Sequence, residues 1–130
     1  MPTTRIAVEP GTIVRRRDEQ LLGGVTMSNV RRGVAQSATL GYWIAEPYAR
    51  KGHMTEALEC VAVFAFDRLG LHRLEAACLP SNEASRRVLQ KVGFQQEGYA
   101  RSYLRIGGLW HDHLLFGLLA EDWRRRRERR

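Results

Sequence analysis

The chain has 130 residues, 44% of them hydrophobic and 27% charged, which suits one globular domain with a real core and excludes a disordered chain. No apolar run approaches the roughly 18 residues of a membrane span, and the first thirty residues hold no stretch of signal-peptide type, so a cytoplasmic protein with no membrane partner is expected. The formal charge of +7 invites nucleic acid, but residues 124–130, Arg-Arg-Arg-Arg-Glu-Arg-Arg, carry +5 of it. That leaves one domain over residues 1–123 with a charge near +2, and a basic tail over 124–130 expected to be solvated and disordered, able to dock on RNA or an acidic partner.

Thr12 to Arg17 and Leu21 to Ser28 are short extended runs around the polar Asp18-Glu19-Gln20, the pattern of a hairpin with a three-residue loop. A loop follows from Asn29 to Ser37. Thr39 to Ala45, rich in aromatic and β-branched residues, reads as a strand that Glu46-Pro47 ends. Met54, Ala57, Leu58, Val61, Ala65 and Leu69 recur at helical spacing, with Gly70 as the cap, so a helix is predicted from about Thr55 to Leu69. Arg73 to Leu79 is a further strand. Asn82 is a natural N-cap for a second helix, whose apolar stripe is Ala84, Val88, Leu89 and Val92 and whose end is Gly93. Phe94 to Ile106 and Leu109 to Leu119 form a hairpin about Gly107-Gly108. The predicted order is β-β-β-α-β-α-β-β, and the strand–helix–strand stretch between 39 and 79 allows one parallel pair in a mixed sheet. Cys60 and Cys78 read as small buried hydrophobes without a base beside them, not as a disulfide or a nucleophile. His111 and His113 lack a third ligand, and no metal is expected.

The turn between the strand at 39–45 and the first helix, Tyr48-Ala49-Arg50-Lys51-Gly52-His53-Met54, is suited to an anion. The first amides of a helix lack internal partners, the dipole adds positive charge, and glycine permits close backbone approach. Arg50 and Lys51 would add charge. The plainer reading is a turn glycine between two solvated cations, and the segment alone leaves both open.

That turn, together with Asn82-Glu83-Ala84-Ser85 and Val92-Gly93-Phe94, resembles the GNAT superfamily of acetyl-coenzyme-A-dependent N-acetyltransferases. The superfamily's turn has the form [Q/R]-x-x-G-x-[G/A], and only Gly52 matches it strictly; Ala49 and Met54 depart from it. Gly41-Tyr42-Trp43-Ile44, Gly52-His53-Met54-Thr55-Glu56-Ala57-Leu58, Leu71-His72-Arg73, Glu97-Gly98-Tyr99-Ala100, Trp110-His111-Asp112-His113 and Glu121-Asp122-Trp123 are similar to the branch that acetylates the N-terminal alanine of ribosomal proteins. The similarity runs from about residue 12 to 123.

The resemblance implies an α/β fold (α+β in some schemes), a mixed and mostly antiparallel sheet with helices packed on it. It implies that the strand at 39–45 splays from its neighbour and admits acetyl-CoA. Trp43, Ile44 and Ala45 would then offer backbone groups to the pantetheine arm. Amides from Arg50, Lys51, Gly52, His53, Met54 and Thr55 would hold the pyrophosphate, and Asn82 would face the lower cofactor. A neutral amine would attack the thioester directly, with the departing thiolate protonated by an acid. Leu89 stands where many relatives have a tyrosine acid, so Ser85, one turn earlier, becomes the implied proton donor; it could instead bond its own helix. Glu46 is the candidate base, with Tyr99 and Asp112 as wall residues. Compared with the branch, a strand and two helices are missing before Thr12, and Met1 to Gly11 are too few to replace them. An N-terminally truncated enzyme of reduced activity, a homodimer that covers the exposed surface, or a pure acetyl-CoA binder would each follow. The acceptor would be a protein N-terminus or a small amine, with ribosome association as a further expectation.

Overall fold

A computed structural model of the chain describes residues 6–9 and 11–129. Seven strands form one sheet in the order β1-β2-β3-β4-β5-β7-β6. They are β1 (Ile6–Glu9), β2 (Thr12–Arg15), β3 (Leu21–Arg31), β4 (Ser37–Ile44), β5 (Arg73–Cys78), β6 (Gln95–Ile106) and β7 (Leu109–Leu119). The helices are α1 (His53–Val63), α2 (Glu83–Val92) and α3 (Ala120–Glu128). Every neighbouring pair is antiparallel except β4 and β5, which run parallel. A parallel pair needs a crossover, and α1 supplies it.

Alternation along the strands decides the two faces. Ala38 and Leu40 of β4, Leu74, Ala76 and Cys78 of β5, and Leu114, Phe116 and Leu118 of β7 are buried with Ala57, Leu58, Ala62, Leu89 and Val92 of the helices. On the opposite face Arg73 pairs with Glu75 and Glu97, and Arg31 reaches Glu75 at 2.6 Å. Among the described residues no helix is long and apolar enough to cross a membrane.

Three predicted boundaries are corrected. The sheet begins before Thr12, because Ile6–Glu9 pairs with Thr12–Arg15; residues 1–5 and 10 lie outside the described residues. The first helix starts at His53, two residues early, and after Val63 it continues as a π-helical turn over Phe64–Arg68, in which the Leu69 amide donates to the Phe64 carbonyl. That turn buries Ala65 and Phe66 together and leaves Phe64 outside.

The third correction concerns the tail. The chain past Trp123 is helical through Glu128, and Arg130 lies outside the described residues. Arginine is a good helix former, and Glu121 and Asp122 in the first turn with arginines in the last suit the helix dipole. Trp123 is buried against Phe66, with ring centroids 5.3 Å apart. Arg124 donates to the Phe66 carbonyl at 3.1 Å, Arg126 to the Lys91 carbonyl at 2.8 Å, and Arg127 lies over the Trp123 ring. Much of the tail's charge is thus spent inside the molecule.

Candidate active site

Pairing between β4 and β5 runs from Ser37↔Arg73 to Leu40↔Ala76 and then stops. Beyond it, β4 stays on β3 through Gly41↔Thr26 to Ile44↔Gly23. A strand that keeps one neighbour and leaves the other opens a wedge in the sheet. The wedge is a cavity of about 890 Å³, walled by Gly41 to Ile44 on one side and by Ala77, Cys78 and α2 on the other. The turn before α1 closes one end.

The turn is built to present its backbone. Gly52 is the N-cap of α1 with φ +82°, a left-handed conformation that glycine adopts without strain, and Arg50 two residues earlier has φ +61°. No side chain caps this helix, and the first intrahelical bond runs from the Glu56 amide to the Gly52 carbonyl at 3.1 Å. The Met54 and Thr55 amides therefore have no acceptor within the helix. Met54 itself is buried, so only its backbone is available to a ligand.

The expected residues divide clearly. Trp43, Ile44, Glu46, Arg50, Gly52, His53, Met54, Thr55, Asn82 and Ser85 all line the cavity. Ala45 and Lys51 are not among its lining, and the expectation for Ala45 is corrected. Its amide donates to the Leu22 carbonyl at 2.8 Å and its carbonyl accepts from Tyr48 at 2.9 Å. With a two-residue period, Trp43 turns its polar groups toward β3 as Ala45 does. A Cβ placed on Gly23 would strike the Trp43 carbonyl oxygen, in agreement with that direction. The backbone groups of Tyr42 and Ile44 are the ones that face the opening.

Asn82 caps α2, its side-chain oxygen accepting from the Ser85 amide at 3.0 Å. Ser85 turns its hydroxyl into the cleft and lies 2.6 Å from the Tyr42 hydroxyl. Burial pushes the Tyr42 phenol up to about 12, with the Ser85 contact opposing the shift. Cys78 is close by; burial also pushes its thiol up, as it does for Cys60. Neither cysteine is thereby made a nucleophile. Glu46 forms an exposed ion pair with Arg50 at 3.4 Å. Leu89 is fully buried. Tyr99 donates to Asp112 on the β6–β7 hairpin, and neither lines the cleft. Among the described residues no three His, Cys, Asp or Glu side chains converge as metal ligands do.

Tyr42, Cys78, Arg87 and Lys91 also line the cavity, unforeseen from the sequence. Strand alternation carried the signal for Tyr42, since it shares a face with Leu40 and Ile44. Spacing of four on α2 carried it for Arg87 and Lys91.

Residues 4–95 match the acetyltransferase (GNAT) domain family. The probable N-acetyltransferase YjcK of Bacillus subtilis strain 168 is 43% identical over 105 residues, 81% of this chain and 58% of that protein. The ribosomal protein uS5-alanine N-acetyltransferase of Escherichia coli K12 is 38% identical over 106 residues, 82% of this chain and 55% of that one. Among solved structures, ribosomal-protein-S5-alanine acetyltransferase from Vibrio fischeri superposes with a TM-score of 0.81 at 36% identity, covering 86% of this chain and 61% of the other. Mycobacterium smegmatis RimJ in complex with CoA-disulfide gives 0.80 at 40% identity, covering 85% and 52%. The chain spans little more than half the length of these two curated relatives.

Proposed function

The chain belongs to the GNAT family of acetyltransferases, and on that premise we propose that it transfers acetyl from acetyl-CoA to the N-terminal amine of a protein. The observation that carries this reading is the wedge where β4 leaves β5 after Leu40. A strand edge with open backbone groups, at Tyr42 and Ile44, suits an arm bearing amides, by the physics of strand addition. At one end the amides around Gly52, with Arg50 beside them, suit a pyrophosphate. The residues therefore fit the cofactor's alternation of phosphate and amide groups.

Acetyl-CoA, when bound, supplies an activated thioester. The chain's own residues do the rest. The β4 edge and the Gly52 turn orient the donor, and this holds the reacting carbon near its acceptor. Ser85 offers a hydroxyl proton to the sulfur on departure. Glu46, an exposed carboxylate that lines the cavity and pairs with Arg50, takes the amine proton through water. A protein N-terminus is favoured as acceptor by the names of the two relatives that act on the alanine of a ribosomal protein.

The test is release of coenzyme-A thiol from acetyl-CoA with a peptide bearing a free N-terminal alanine. Release with that peptide, and none with the same peptide N-terminally blocked, is the expected result. No release above the uncatalysed rate would refute transfer. Faster release with spermidine than with the peptide would refute the acceptor.

A further inference from the structure

The Tyr42–Ser85 contact joins two elements across the wedge. Tyr42 projects from β4 and Ser85 from α2, 43 positions apart in the chain, with their hydroxyl oxygens 2.6 Å apart. Both line the cleft. Either oxygen can serve as donor in such a pair, and the choice has a chemical consequence. A hydroxyl carries one hydrogen and two acceptor lone pairs. A serine that donates to tyrosine has spent its hydrogen. A serine that accepts from tyrosine keeps it for something else.

We propose that Tyr42 is a positioning residue for acetyl transfer: its phenol donates to the Ser85 oxygen and so directs the serine's one hydrogen into the cleft, toward the departing sulfur. This rests on the acetyl-transfer reading above and deepens it. Three features favour the direction. A phenol is the stronger acid of the two and the better donor. Burial holds the Tyr42 proton in place across the whole working pH range, since the group is pushed up to about 12. Cys78, which neighbours both, stays a neutral thiol because burial pushes its ionisation up, so it competes only weakly for the serine hydrogen. The Asn82 cap fixes the backbone of Ser85, at 3.0 Å from its amide. Backbone and hydroxyl are thus held by separate partners, one from each side of the wedge.

The proton count closes. As the C–N bond forms and the C–S bond breaks, the sulfur receives the Ser85 proton. The amine nitrogen gives up one proton to water by way of Glu46, and water returns one to Ser85. Tyr42 ends with the proton it began with. Its role is direction, and its loss should appear in kcat without appearing in cofactor affinity.

The experiment uses the full chain with Tyr42→Phe, Ser85→Ala and the double variant. Steady-state thiol release is measured with acetyl-CoA and the alanine peptide. Phenylalanine keeps the ring, and a melting temperature near that of the parent chain verifies the packing. Y42F is expected to lower kcat about tenfold with KM for acetyl-CoA within about twofold, since a misdirected donor weakens proton transfer without removing the group. S85A is expected to lower kcat at least as far, and the double variant no further than S85A alone. An unchanged kcat in Y42F, with S85A impaired, overturns the positioning role and leaves acetyl transfer intact. Additive losses in the double variant overturn it too, because Tyr42 would then act apart from Ser85. An unchanged kcat in S85A removes both residues from the step. Absence of thiol release in the parent chain overturns the underlying reading itself.

Discussion

The sharpest test of the phosphate-binding turn separates charge from backbone strain at Gly52. With φ +82°, any L side chain there is strained by about 1–2 kcal/mol, so a simple loss of function on substitution would be ambiguous. Asparagine tolerates the left-handed region and has nearly the shape of aspartate. The pair Gly52→Asn and Gly52→Asp therefore differs by one negative charge. A carboxylate about 5 Å from two phosphate charges is repelled by about 1.7–7 kcal/mol in total for effective dielectric constants between about 80 and 20. Even the lower figure corresponds to about 15-fold in affinity. Calorimetric titration with coenzyme A at low salt should show G52D at least about 15-fold weaker than G52N, with the gap narrowing as salt is raised. Pantetheine, which has no phosphate, should bind both variants alike. Equal coenzyme A affinity in the two variants would refute the assignment of the pyrophosphate to this turn.

Three further outcomes follow from packing and ionisation. Trp123→Ala, which empties the contact with Phe66 at 5.3 Å, should cost about 3–5 kcal/mol in denaturant unfolding, whereas the exposed Arg129→Ala should change little. Gly93 has φ +117°, and a Cβ there would displace the Arg126 guanidinium; Gly93→Ala should cost about 2 kcal/mol, or about 7 °C of melting temperature, and adding Arg126→Ala should deepen that loss only slightly. Tyr42 is held near 12 when folded against an ordinary value near 10, so its contribution to stability is complete below about pH 10 and is lost as pH rises toward 12. Unfolding midpoints between pH 9 and 12 should fall less steeply in Tyr42→Phe than in the parent chain, and identical slopes would refute the burial argument.

Where a residue's local chemistry decided its place, the place was legible. Asn82 and Gly93 mark the ends of α2 because one accepts an amide and the other adopts a positive φ. Gly107-Gly108 marks the hairpin tip for the same local reason. The parallel neighbour of β4 was also within reach. The start of α1 was missed by two residues because Gly52, with no side chain to cap it, is itself the N-cap. The short β1 holds only four residues and becomes a strand by pairing with β2. The α3 helix was hidden by its own arginines, whose acceptors are carbonyls of Phe66 and Lys91 far away in the chain. In the site, the commitment of the Ala45 amide to Leu22 and the meeting of Tyr42 with Ser85 are both tertiary facts. No local pattern in either segment encodes them.

The fastening of α2 has a mechanical consequence. Asn82 secures its first turn, and Gly93 together with the Arg126 guanidinium on Lys91 secures its last. The wall of the wedge that carries Ser85, Arg87 and Lys91 is pinned at both ends, like a beam on two supports. The opposite wall, from Gly41 to Ile44, has its backbone ladder with β3 and is tied to α2 through the Tyr42–Ser85 hydroxyl contact. The two walls are thus anchored unequally, and the edge of β4 past Leu40 has backbone ladder bonds on one side only. The terminal arginine helix, distant in sequence from the cleft, is one of the two supports of the α2 wall.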